Sequence, residues 1–74
     1  MVKDKLQSAL GTAIRRRREA LKVSQDAFAD SISMHRAYYS AIERGEKNLT
    51  LRVLTRVVEG LSARLSDILR EAGY

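Results

Sequence analysis

Ser24-Gln25-Asp26-Ala27-Phe28-Ala29 and His35-Arg36-Ala37-Tyr38-Tyr39-Ser40-Ala41-Ile42-Glu43-Arg44-Gly45 decide the fold of this chain. The two stretches read as short helices joined by a tight turn. Ser24 is placed to cap the first, its hydroxyl accepting from the free amides of the next turn. Asp26 suits the positive end of that helix dipole. Ala27, Phe28 and Ala29 supply its apolar face, and it should end near Ser31. Ile32-Ser33-Met34 forms the turn, with Ile32 and Met34 pointing inward. Ser33 adopts an unusual backbone angle less easily than glycine would. The next helix should run from about His35 to Arg44 and stop at Gly45.

Outward from this pair, Leu6, Leu10, Ala13, Ile14 and Leu21 recur at helical spacing, predicting one long helix over roughly Asp4 to Leu21. Gly11 inside it should cost about 1 kcal/mol relative to alanine, unless another helix needs the close approach. Thr50 can cap a fourth helix carrying Val53, Leu54, Val57, Val58 and Leu61. Gly60 and the residues after it should end that helix. Leu65, Ile68 and Leu69 predict a short fifth helix beginning after Ser62 or Ala63. There is no proline and no tryptophan, and good helix formers dominate. An all-α domain of five helices is therefore expected, one domain over 1–74 with the helix pair at about 24–45.

Composition narrows the function. A chain of 74 residues has room for one small core, and a partner copy would help it. Hydrophobic residues make up 45% of it, too many for a disordered tail. No cysteine is present, so disulfides and thiolate metal sites are out, which suits a reducing cytoplasm. With one histidine as well, no metal site is expected. No apolar run approaches the roughly 20 residues that span a bilayer. Met1-Val2-Lys3-Asp4-Lys5 has no apolar signal core behind it, so a cytoplasmic location is expected. No nucleophile–base pair, phosphate-binding glycine loop or metal cluster points to an enzyme. Fourteen Lys and Arg against nine Asp and Glu give a net charge of +5, for which a polyanion is the natural partner.

A DNA major groove admits one α-helix, and side chains near that helix's N-terminal end read base edges. Gln25-Asp26-x-Phe28-Ala29 followed by Ser40-x-Ile42-Glu43-Arg44-Gly45 resembles the helix-turn-helix domain of the phage-repressor (Cro/CI, or Xre) family, over roughly Leu10 to Leu69. Within it, Arg36 to Arg44 and Lys47-Asn48-Leu49-Thr50 are similar to controller proteins of restriction–modification systems. Leu49 stands where most members have proline, and Ser33 where most have glycine. The resemblance implies a five-helix, lambda-repressor-like fold and a sequence-specific transcriptional regulator of double-stranded DNA.

Carried onto this sequence, the resemblance assigns base reading to Arg36, Ala37, Tyr38, Ser40 and Ala41. Arg36 leads, because a guanidinium matches the O6 and N7 of guanine. Ser24, Gln25, His35, Arg44, Lys47 and Asn48 would meet phosphates. Arg18 matches the position that pairs with Glu43, a structural ion pair. Tyr39 is the core tyrosine by the same pattern, and Tyr38 the exposed one. Arg15, Arg16 and Arg17 spread around their helix and should be mostly solvated.

One reading helix sees only a few base pairs, so a homodimer on a palindrome is expected, with Leu65, Leu69 and Tyr74 as its surface. A single domain is expected, so neither a small-molecule effector nor a cofactor is expected. The competing reading is a protein-interaction module such as the antitoxin of a toxin–antitoxin pair, which shares the fold. The sequence shows no disordered tail to wrap a toxin.

Overall fold

The computed structural model describes residues 5–74. Among them are five helices and no strand: α1 Lys5–Ala20, α2 Gln25–Ser31, α3 Arg36–Glu43, α4 Leu51–Gly60 and α5 Leu65–Glu71. The expected start of α1 at Asp4 lies outside the described residues. Both expected caps are present. The Ser24 hydroxyl accepts from the Ala27 amide at 3.1 Å, and the Thr50 hydroxyl accepts from the Val53 amide at 3.1 Å. Each answers an amide that has no partner inside its own helix.

The core gathers one stripe from every helix: Ile14, Phe28, Tyr39, Ile42, Val57 and Ile68 are all 2% exposed or less. Phe28 and Tyr39 lock α2 to α3 with ring centroids 5.0 Å apart, tilted by 50°. The expected stripe of α1 needs two corrections. Leu6 is 40% exposed and Leu21 is 49% exposed. Helix α1 has ended before Leu21, and Lys22 turns the chain through a positive φ of 60°. Val23 packs on the core instead, and Arg18 takes the inward position one turn after Ile14.

Gly11 is where α1 crosses α3. A Cβ there would sit 2.5 Å from the Ile42 carbonyl oxygen and 2.7 Å from that of Glu43. Backbone cannot step aside as a flexible side chain would. Gly11→Ala should therefore destabilise the domain by about 1–3 kcal/mol despite alanine's better helix propensity. Urea unfolding checks this, with a lower midpoint expected.

Three helices end on left-handed residues that are not glycine: Lys22, Ser33 and Ser62. After α2 the Ser33 amide donates to the Asp30 carbonyl at 3.0 Å and the Met34 amide to that of Ala29 at 2.8 Å. This is the cap that satisfies the last carbonyls of a helix when the chain turns left-handed. Ser62, expected near the start of α5, ends α4 in the same way, so α5 starts only at Leu65. At Ser33 φ is 54°. A left-handed L-residue costs roughly 1–2 kcal/mol, while glycine adds about 0.4–1 kcal/mol of unfolded-state entropy. Ser33→Gly should accordingly stabilise the domain by about 0.5–1 kcal/mol. Calorimetry should record a higher melting temperature.

Candidate nucleic-acid interface

The joint between α1, α2 and α3 is a buried carboxylate. Glu43 accepts from Arg18 Nε at 2.7 Å, Arg18 Nη2 at 3.1 Å, Gln25 Nε2 at 2.8 Å and the Tyr39 hydroxyl. The two charged side chains are only 9% and 2% exposed. Arg18 also donates to the Val23 carbonyl at 2.8 Å, which fixes the chain entering α2. Burial alone would raise the Glu43 carboxyl. The hydrogen bonds from Arg18, Tyr39 and Gln25 outweigh it and hold the group below its ordinary value. The Arg18 guanidinium is pushed up by its hydrogen bonds to Glu43, and burial pushes the Tyr39 hydroxyl up. The structural pairing of Arg18 with Glu43 is thus present, and Tyr39 is the core tyrosine.

This network also draws in Gln25, the residue expected to meet phosphate. Its side-chain amide donates inward to Glu43 at 2.8 Å. The signal was present in the sequence only as a glutamine beside Ser24, and the fold had to bring Glu43 to it.

Around that joint, α3 presents its first turn. Arg36 and Ala37 are exposed, while Tyr38 and Ser40 are half-buried. At 100° per residue, Arg36, Ser40 and Ala37 fall within about 100° of one another on the helix. Ala41 does not join them. It is 6% exposed, and its carbonyl accepts from the Glu46 amide at 3.0 Å where the chain reverses at Gly45. Helical spacing alone put Ala41 near this face, and its burial takes it off the exposed surface.

The flanks are basic. Lys47 lies over the Tyr38 ring, its ammonium 5.4 Å from the centroid. Arg44 reaches back to Ser40, donating to its hydroxyl at 2.6 Å, and pairs with Glu46 at 3.1 Å. His35 is exposed at the N-cap of α3 and its side chain makes no capping bond. Asn48 is exposed beyond Lys47. Arg36 is held from α2: its Nε donates to Asp30 Oδ1 at 3.1 Å and its Nη2 to Asp30 Oδ2 at 2.7 Å, with Asp26 3.6 Å from Nη1.

Two arginines outside the expected set also shape the surface. Arg56 of α4 donates to the Ile32 carbonyl at 2.8 Å and to that of Ser33 at 2.6 Å, closing the turn between α2 and α3 from behind. Arg17, expected to be solvated, pairs with Glu71 and ties α1 to α5. No sequence pattern marks either pair, since their members lie 23 to 54 residues apart.

On another face, Leu6, Leu49, Leu51, Leu65 and Leu69 line an apolar groove between α1, α4 and α5. Leu51 is 74% exposed. Tyr74 is 68% exposed and does not line the groove. No group of three or more potential metal ligands occurs among the described residues, and no helix among them is long and apolar enough to cross a membrane.

The helix-turn-helix family profile matches residues 14–68, most of the chain. The protein belongs to the helix-turn-helix family. It is 40% identical over 52 residues to control protein C.MunI from Mycoplasma sp., covering 70% of each chain. It superimposes on the clp gene regulator ClgR from C. glutamicum with a TM-score of 0.91 and 32% identity, over 97% of this chain and 92% of that one. The restriction–modification controller protein C.Esp1396I, solved as a tetramer with its natural 35 base-pair operator, matches with a TM-score of 0.81 and 26% identity, over 93% and 96%. The helix-turn-helix pair read from Ser24 to Gly45 therefore sits inside the matched domain.

Proposed function

We propose that this helix-turn-helix protein is a transcriptional regulator that binds a palindromic operator as a homodimer, in the manner of a restriction–modification controller protein. The observation that carries this reading is the N-terminal half of α3, with Arg36 and Ala37 exposed and Tyr38 and Ser40 half-buried beside basic flanks. A guanidinium at that place offers paired donors to guanine O6 and N7. Lys47, Arg44, His35, Asn48 and Ser24 would meet backbone phosphate, contacts that fix the register without reading sequence. Ala37 supplies apolar contact for a thymine methyl.

The likeness to C.Esp1396I, which is solved as a tetramer on operator DNA, supports an oligomer on DNA for this chain too. The leucine groove gives the dimer a surface, centred on Leu65 and Leu69 with Leu51 and Leu6 added and Tyr74 at most peripheral. Such a regulator works in the cytoplasm, needs no cofactor and performs no catalysis.

Selection of bound sequences from a randomised duplex pool tests the reading. The expected consensus has two inverted half-sites, centres one helical turn apart or a multiple of it, each containing a guanine. A consensus without two-fold symmetry, or none at all, overturns it.

A further inference from the structure

The Arg36 guanidinium has five N–H donors, and Asp30 accepts only two of them. Those two, on Nε and Nη2, form the side edge of the fork. The end edge, Nη1 with the second Nη2 hydrogen, makes no hydrogen bond to Asp30, and only Asp26 approaches it, at 3.6 Å from Nη1. Asp30 stands in the last turn of α2 and Arg36 in the first turn of α3, so the bond spans the turn between them. That turn is itself fixed, by the caps at Ser33 and Met34 and by Arg56 on its carbonyls. The carboxylate is thus held on a rigid frame. Asp26 is placed differently: it lies 3.6 Å from Nη1 and forms no hydrogen bond to the guanidinium.

We infer that Asp30 is a specificity-determining positioning residue: it clamps the side edge of Arg36 and aims the end edge at one guanine of each half-site. This rests on the reading of Arg36 as the base-contacting arginine. An arginine free in solution must be ordered when DNA arrives, and the clamp removes part of that entropic cost beforehand. It also limits where the fork points, so a base without the O6 and N7 pair is penalised. A carboxylate at a DNA surface repels phosphate, and its gain is therefore confined to selectivity.

The two acidic residues separate the clamp from simple charge. The probes are the duplex recovered by selection with the native protein and a scrambled duplex of the same length. Asp30→Ala should lower the ratio of the two affinities by roughly five- to tenfold for each half-site, from the mobility regained by its arginine side chain. The loss should fall on the one base position whose guanine preference Arg36→Ala abolishes. Binding to the scrambled duplex should hold or tighten as a negative charge leaves. Asp26→Ala removes the same charge and the 3.6 Å ion pair to Nη1 but leaves both Asp30 hydrogen bonds, and should not lower the ratio.

An unchanged ratio in Asp30→Ala, with the ratio collapsed in Arg36→Ala, overturns the clamp and leaves the base-reading role intact. A ratio that rises in Asp30→Ala also overturns it, making Asp30 a competitor of the guanine. An unchanged ratio in Arg36→Ala removes the base-reading role itself. Both aspartates are exposed, and unchanged thermal unfolding of each variant confirms that the comparison is between folded proteins.

Discussion

Glu43→Ala should cost this domain about 3–5 kcal/mol, the usual result of breaking a buried ion pair by removing one partner. Arg18 would be left 8% exposed with its main acceptor gone, and the Tyr39 hydroxyl and the Gln25 amide would lose theirs as well. A small domain has only about 5–15 kcal/mol of total stability, so the loss is a large share of it. Urea denaturation should show a midpoint shifted far down with little change in slope. A double variant, Arg18→Met with Glu43→Leu, should recover part of the loss, because no charge stays buried while the Tyr39 hydroxyl and Gln25 amide still lack their acceptor. A double-mutant cycle that found Arg18→Met and Glu43→Leu additive would show the pair to be uncoupled.

The same carboxylate sets an acid limit. Its folded pKa lies below its ordinary 4.5, so its contribution is fully present above that value. It is lost as pH falls through the depressed folded value, where the native state must take up the proton. Stability of the native protein should therefore decline below about pH 4.5, and Glu43→Gln should remove this part of the decline.

Arg36→Ala should weaken binding to the selected duplex far more than to a scrambled one. One bidentate arginine–guanine contact is worth about 1–3 kcal/mol of discrimination, and a dimer makes it twice. The ratio of affinities should then drop by roughly 30-fold to more than a thousandfold, while binding to the scrambled duplex changes only by the loss of one positive charge. Fluorescence anisotropy at fixed salt measures both. Equal weakening on the two duplexes would assign Arg36 to the phosphate backbone.

Legibility in the sequence followed the range of the interaction. Ser24 and Thr50 were readable because a cap lies three residues from the amide it satisfies. The choice of Tyr39 over Tyr38 as the buried tyrosine followed the family pattern, and helix geometry agrees: adjacent residues point about 100° apart. Gly11 announced itself by its cost in a helix, although only the fold shows the carbonyls it meets. Leu21 misled because its spacing continued a helix that had already ended, and because an arginine took the inward position before it. Ala41 misled for the opposite reason: its place on the helix was right, but it is buried in the fold. The Asp30 clamp joins residues six apart across a turn, a spacing that is not a helix-neighbour one. Arg56 and Arg17 act across far longer separations, and nothing local marks them.

The central claim is that this surface reads DNA sequence. The most direct test is the affinity of the native protein for its selected duplex and for the scrambled duplex across a series of salt concentrations. At near-physiological salt the selected duplex should bind at least about a thousandfold more tightly, and both affinities should fall steeply as salt rises. Equal affinity for the two duplexes, or a flat salt profile for both, would contradict it.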